Sequence, residues 1–122
     1  MKKKINILGT IYNIRKVTAG EDEYMTKMNF GGYCDADKKE IVILDARTLP
    51  DFKDEPMEVT IRREKETLRH ELIHAFLNES GLKWNTLPVN TAWAKNEEMV
   101  DWIAIQFPKI LKVFVELGCE GE

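Results

Sequence analysis

The sequence predicts an α+β protein, with a small β-sheet in its N-terminal half and two or three helices after it. Short apolar runs separated by turn-forming residues fill the N-terminal half. A helical pattern without internal glycine or proline covers residues 60–80, and another begins near residue 96. Strands followed by helices are typical of the α+β class. At 122 residues, the chain 1–122 is expected to form one domain.

The N-terminal half predicts two β-hairpins. INIL and YNIRKV flank Gly9-Thr10, which favours a first hairpin. GYCDADKKEIVIL predicts a second hairpin that turns near Asp37-Lys38. Residues 41–44 within it are apolar on both faces, which indicates a strand covered on both sides. TAGEDEYMTKMNFGG between the hairpins predicts a loop, and PDFKDEP predicts a connector to the first helix.

The C-terminal half predicts the helices. Residues 60–80 form the first, and Gly81 is a natural residue at which to end it. After the long connection LKWNTLPVNTAW, a second helix is expected over about residues 96–106. Pro108 then either kinks this helix or begins a third one, which Gly118 would stop.

Composition and charge argue against several classes of function, including nucleic-acid binding and membrane binding. Apolar residues make up 43% of the chain and charged residues 32%, as in ordinary globular proteins. The net charge of −3 provides no electrostatic basis for binding nucleic acid or an anionic membrane. Polar residues interrupt the start MKKKINILGTIYNIRKV, so it lacks the apolar core of a signal peptide. We therefore expect a cytoplasmic protein without nucleic-acid or membrane partners.

The segment RHELIHAF contains the only two histidines of the chain, His70 and His74, with Glu71 directly after the first. On a helix, both imidazoles project from one face, one turn apart, at the border of a broad apolar arc. This spacing lets two nitrogens bind one metal ion, with Glu71 beside the ion as a general base. A chance motif on a solvated helix is the alternative, and the surrounding apolar arc argues against it.

A catalytic zinc site needs a third protein ligand, and no histidine remains to supply it. KNEEMVDWIAIQF on the next helix offers carboxylates instead. Glu97 borders the apolar face of that helix and is the preferred ligand, with Glu98 as the alternative. Asp101 shares the face of Glu97 and would accept the second ring N–H of a ligating histidine. Without the histidine motif, Glu97 and Asp101 would be interpreted as solvated helix charges.

HELIHAFLNESGL followed by NEEMVDWIAIQFPKIL, about a third of the chain, resembles the gluzincin zinc metallopeptidases. The small size resembles minimal gluzincin-like proteins of phages and prophages, near the ImmA/IrrE group of regulators. The resemblance implies a zincin-like domain with a sheet packed on the zinc-site helix. It also implies that the strand nearest the site can bind an extended peptide as an extra strand. By motif position, His70, His74 and Glu97 would hold Zn²⁺, and Glu71 would be the general base.

The sequence thus predicts a zinc-dependent hydrolase, most simply a metallopeptidase acting on a peptide or protein, such as a phage or host regulatory protein. Many gluzincins supply a later histidine or tyrosine to the oxyanion, but none follows His74 here. Tyr33 is the candidate substitute, and a partly buried strand aromatic is its other interpretation. The alternative function is a catalytically weak or inactive, zinc-stabilised regulatory module that binds another protein.

Overall fold

The computed structural model describes residues 2–28, 31–50, 52–83 and 92–121. Four strands precede two long helices, so the α+β class is confirmed. The main elements are β1 (Lys2–Ile7), β2 (Thr10–Val17), α1 (Glu23–Met28), β3 (Gly32–Asp35), β4 (Glu40–Leu44), α2 (Met57–Leu77) and α3 (Glu97–Glu116). Short 3₁₀ turns occupy Ala46–Thr48 and Trp93–Lys95, and a π-helical segment, Asn78–Leu82, follows α2.

The four strands form one sheet in the order β1-β2-β4-β3. The pairs β1–β2 and β3–β4 are antiparallel, which confirms both predicted hairpins, and a parallel β2–β4 pair joins them. Because β4 is internal, its residues Ile41, Val42 and Ile43 are buried. The prediction of a strand covered on both faces is therefore confirmed. β3 lies at one edge of the sheet.

Helix α2 packs across one face of the sheet. Its Leu68, Leu72 and Ala75 meet a buried cluster of strand side chains, namely Ile7, Tyr12, Ile14, Ile41 and Ile43. The opposite face is covered at Val42 by Met25 of α1. Burial of these apolar side chains, at about 25 cal/mol per Å² of surface removed from water, fixes α2 against the sheet.

Two boundaries differ from the sequence prediction. The segment predicted as a loop contains the one-turn helix α1, whose Met25 N–H is accepted by the Asp22 carboxylate at 2.9 Å. A single capped turn is too short to show helical periodicity, so the pattern could not reveal it. Helix α2 begins at Met57, three residues before the predicted start at residue 60. The predicted stop at Gly81 coincides with a left-handed residue there, at φ 86°.

Helix α3 is continuous from Glu97 to Glu116, with Pro108 inside it. The predicted alternative in which Pro108 begins a separate third helix is therefore wrong. Proline has no N–H and cannot donate to the carbonyl four residues earlier, which belongs to Ala104. Arg69 of α2 replaces that donor, because its Nε donates to the Ala104 oxygen at 2.8 Å. The helix starts at the cap Asn96, whose Oδ1 accepts the Met99 N–H at 2.9 Å.

The two halves of α3 have different surroundings. Val100 and Ala104 in the first half are buried against α2, whereas the apolar side chains of the second half are largely exposed. Among the described residues, no helix is both long enough and apolar enough to traverse a lipid bilayer. The predicted connection before α3 lies largely outside the described residues, which omit 84–91.

Candidate metal centre

The two histidines lie side by side on α2, as the helical spacing predicts. Their Nε2 atoms are 3.1 Å apart, and the ring centroids are 4.8 Å apart. Both side chains are mostly buried, with exposed fractions of 18% for His70 and 13% for His74. The backbone of one regular helix therefore aims two imidazole nitrogens at one point.

The other ring nitrogen of each histidine is held by an acceptor. His74 Nδ1 lies 2.6 Å from the backbone oxygen of Ala94, which can only accept a hydrogen bond, so Nδ1 donates. His70 Nδ1 lies 2.6 Å from Asp101 Oδ1 and donates to this carboxylate. In the neutral form of each ring, a proton on Nδ1 leaves a lone pair at Nε2. The contact predicted between Asp101 and a histidine ring is formed.

The carboxylate of Glu97 completes the cluster from α3. Its Oε1 lies 2.8 Å from His74 Nε2, and its Oε2 lies 3.4 Å from His70 Nε2. Glu98, the alternative ligand, lies outside the cleft that contains the histidines. The structure thus brings Glu97, rather than Glu98, to the paired imidazoles.

Three groups that can donate electron pairs converge at this point. With both rings neutral, two Nε2 lone pairs face each other at 3.1 Å beside the Glu97 oxygens, and a bound cation would offset their mutual repulsion. Two imidazoles and a carboxylate are a donor set suited to Zn²⁺, and hydrogen-bonded Nδ1 atoms orient such ligands. The residues present therefore fit a zinc ion.

Glu71 lies beside this cluster, within the protein. Its side chain is buried, and its Oε1 is 3.9 Å from His70 Nε2. His70, Glu71 and His74 can each offer one ligand atom such that all three lie within 4.8 Å of one another. Burial raises the pKa of Glu71 to about 7, a positive charge on a protonated His70 would oppose this rise, and the negative charges of Glu97 and Asp101 add to it.

A cleft beside the histidines of α2 is also lined by residues of the edge strand β3. The Leu44 N–H donates to the Gly31 oxygen at 2.9 Å, which makes this pair hydrogen-bonded in the β3–β4 ladder. In an antiparallel ladder, hydrogen-bonded and non-hydrogen-bonded residue pairs alternate. Gly32 and Cys34 are therefore in non-hydrogen-bonded pairs, and their backbone N–H and C=O groups point away from β4. These groups can pair with an added extended chain.

The hydroxyl of Tyr33 does not point toward His70, His74 and Glu97. The hydroxyl donates to Asp22 Oδ2 at 2.8 Å, and the ring contacts Tyr24 edge to face. Burial and this hydrogen bond raise the pKa of Tyr33 to about 12. The interpretation of Tyr33 as a partly buried strand aromatic therefore fits the structure, and its role as an oxyanion donor does not.

Two contributors to the site were missed in the sequence. The Ala94 carbonyl orients His74 from a 3₁₀ turn, and a backbone group in a polar connection has no sequence signal. Arg69 of α2 donates to the Ala104 carbonyl of α3, and the proline four residues beyond Ala104 could have indicated that a carbonyl there needs a donor.

Comparisons with protein-family models, curated proteins and solved structures found no match to this chain. The functional argument therefore rests on the geometry of the His-Glu-His-Glu cluster and its cleft.

Proposed function

We propose that the protein is a zinc-dependent hydrolase of the peptidase type, with His70, His74 and Glu97 as metal ligands. The observation that carries this proposal is the convergence of two lone-pair Nε2 atoms and one carboxylate, with both Nδ1 atoms already held by acceptors. A zinc ion there supplies a Lewis acid that polarises a carbonyl and lowers the pKa of water toward about 7.

Glu71 is the general base of the proposed reaction. Its carboxylate is buried beside the ligands and lines the cleft, so it can take a proton from the attacking water and deliver it to the leaving amine. His70 is kept in the required tautomer by Asp101, and His74 by the Ala94 carbonyl.

The substrate class is an extended peptide. The outward backbone groups of Gly32 and Cys34 belong to residues that line the cleft beside the histidines, where a peptide would add to the sheet as a further strand. A peptide in this position would have its backbone beside the metal cluster, which supports amide hydrolysis over reactions of small, compact substrates.

Metal content of the purified protein tests the ligand set. We expect about one zinc per chain by mass spectrometry for the wild type and for Glu98→Ala, and strongly reduced zinc for His74→Ala and Glu97→Ala. Glu98→Ala is the matched control, because it removes the neighbouring carboxylate on the same helix. Equal zinc in Glu97→Ala and Glu98→Ala would refute Glu97 as the third ligand.

Turnover tests the role of Glu71 separately. Glu71→Gln keeps the shape of the side chain and should retain zinc, while peptide cleavage falls to the background level. The substrate is first identified by digesting a peptide library with the zinc-loaded wild type. A Glu71→Gln variant that cleaves the identified peptide at the wild-type rate would rule out this base.

The direction of the Tyr33 hydroxyl supports a second candidate function, a zinc-stabilised module that binds a protein without cleaving it. All three tyrosines precede the motif, and both Tyr12 and Tyr33 donate to carboxylates outside the cluster. Loss of one oxyanion donor costs about 10²–10³ in rate. In this case Glu71→Gln would preserve binding of the partner, whereas His74→Ala would abolish it with the metal.

A further inference from the structure

We infer that Arg69 is a positioning residue for the metal centre, acting through the carbonyl that Pro108 leaves without a helix hydrogen bond. The inference rests on the proposed metal site and adds a residue that is neither a ligand nor a hydrogen-bond partner of a ligand. Its basis is the contact between Arg69 Nε and the Ala104 oxygen, at 2.8 Å.

Pro108 explains why the Ala104 carbonyl needs a hydrogen-bond donor from outside α3. In a regular helix, the N–H of residue 108 would donate to the carbonyl of residue 104, but proline lacks that N–H. Ala104 itself is buried, with 1% of its surface exposed, so its carbonyl is not readily hydrated. A buried carbonyl without a donor costs about as much as a lost hydrogen bond. Arg69 supplies the donor, and α3 remains helical on both sides of the proline.

The contact is adjacent to the metal cluster on both helices. On α2, Arg69 directly precedes His70, and on α3, Ala104 lies three residues after Asp101, which is about one helical turn. The hydrogen bonds Arg69–Ala104 and His70–Asp101 therefore form neighbouring rungs between the two helices. Together they set where α3 lies along α2, and this placement determines where Glu97 reaches.

The exposure of Glu97 shows why such positioning is needed. Its side chain is 66% exposed, and that of Asp101 is 58% exposed, so packing around these carboxylates does little to hold them. The placement of α3 is set instead by the buried Val100 and Ala104 and by the Arg69 hydrogen bond. A shift of α3 along α2 would withdraw both carboxylates from the imidazoles at once.

The experiment compares Arg69→Met, Pro108→Ala and the double variant with the wild type. Lys65→Met, an exposed cation on the same helix, is the matched control. Zinc affinity is measured by competition with a chromophoric chelator, and unfolding by urea is measured in EDTA. We expect Arg69→Met to weaken zinc binding about fivefold, less than the 10–100-fold typical for direct partners of the ligands. Lys65→Met should bind zinc as the wild type does.

Pro108→Ala distinguishes two roles of Arg69, namely the placement of α3 along α2 and the donation of a hydrogen bond to the Ala104 carbonyl. The new N–H at residue 108 can donate to the Ala104 oxygen, so the double variant should fold and regain the urea resistance that Arg69→Met loses. Its zinc affinity should stay low, because the hydrogen bond from Arg69 of α2 to α3 is still missing. Recovery of both properties in the double variant would overturn the positioning role, as would zinc binding by Arg69→Met within twofold of the control.

A measurement on the zinc-free protein tests the role of Arg69 independently of the proposed zinc-dependent function. The Nδ1 proton of His70 reports its hydrogen bond to Asp101 in NMR spectra of the zinc-free protein. We expect this signal in the wild type and in Lys65→Met, and its loss in Arg69→Met and the double variant. If the wild type binds no zinc, the proposed function fails, and the NMR signal still decides the role of Arg69. Persistence of the signal in Arg69→Met would contradict it.

Discussion

Gly32 shows how closely β3 approaches α2 at the wall of the cleft. A Cβ on Gly32 would lie 2.8 Å from Thr67 Cγ2 and 3.1 Å from the Val42 oxygen, and both distances are shorter than ordinary contacts. Thr67 is β-branched and has little rotamer freedom on a helix. Glycine at this position therefore allows the edge strand to lie directly against the helix that bears the histidines.

We predict that Gly32→Ala lowers the free energy of unfolding by about 1–3 kcal/mol, as overpacking typically does. In the double variant Gly32→Ala/Thr67→Ser, the clashing methyl group is gone, so part of the lost free energy of unfolding should be restored. Gly31→Ala is the control, because a Cβ there meets nothing within 4 Å. Urea unfolding of the wild type, Gly32→Ala, the double variant and Gly31→Ala measures these differences. Equal stability of Gly32→Ala and Gly31→Ala would contradict the prediction.

Glu79 is the charged residue that ties the end of α2 to the sheet. Hydrogen bonds from Thr10, Tyr12 and Lys39, together with the positive charge of Lys39, lower the pKa of Glu79 to about 2. The Tyr12 hydroxyl donates to Glu79 Oε2 at 2.7 Å, and Lys39 Nζ lies 2.9 Å from the same oxygen. This network keeps the carboxylate ionised in the folded protein.

The lowered pKa predicts a pH-dependent contribution to stability. A carboxylate whose pKa is lower in the folded than in the unfolded chain stabilises the fold above the unfolded value of about 4.5. This contribution is lost as the pH falls toward about 2. The stability difference between wild type and Glu79→Gln should therefore be largest near pH 7 and shrink below about pH 4.5.

Urea titrations between pH 3 and pH 7 would measure this difference. The exposed Glu116 on α3 provides the control, since Glu116→Gln should show little difference at any pH in this range. A Glu79 difference that stays constant with pH would show that the carboxylate is not preferentially ionised in the folded state.

At the scale of the elements, the start of α3 and the end of α2 have identifiable causes. Helix α3 starts at Asn96, whose side chain accepts the Met99 N–H, and this places Glu97 in the first turn. Helix α2 ends before Gly81, which has φ 86°. Of the two outcomes expected at Pro108, the separate third helix is not formed, and the Arg69 side chain donates to the carbonyl that proline cannot serve.

The cap makes a prediction for α3. Asn96→Ala removes the acceptor for the Met99 N–H and should lower the free energy of unfolding by about 1 kcal/mol. Asn96→Asp keeps an acceptor oxygen and should remain near the wild type. Chemical denaturation with circular dichroism detection distinguishes them, and an Asn96→Ala variant as stable as Asn96→Asp would show that the cap contributes nothing.

At the scale of the whole molecule, the candidate metal ligands His70, His74 and Glu97 bring α2 and α3 together, and Val100 and Ala104 of α3 are buried. A ligand that binds only the folded protein stabilises it by mass action. If His70, His74 and Glu97 hold zinc together, zinc must stabilise the packing of the two helices.

We predict that free zinc at 100 times its Kd raises the free energy of unfolding by about 2.7 kcal/mol. His74→Ala should lose this increase, and Glu98→Ala should keep it. Thermal and urea unfolding at buffered zinc concentrations would provide the values. An increase of the same size in His74→Ala would place the bound zinc somewhere other than the proposed cluster.

The sequence by itself determined the features that depend on local pattern. Alternation and turn residues predicted both hairpins, the uniformly apolar run predicted the buried strand β4, and helical spacing predicted that His70 and His74 share a face. These predictions succeed because strand and helix periodicities place side chains without reference to distant residues.

Only the tertiary structure decided the features that depend on contacts between distant segments. The parallel β2–β4 pair and the uninterrupted α3 both arise this way. So do the turning of Tyr33 toward Asp22 and the capture of the Ala104 carbonyl by Arg69. Each requires a hydrogen-bond or packing partner that the residue's own segment does not contain, so no local pattern could specify it.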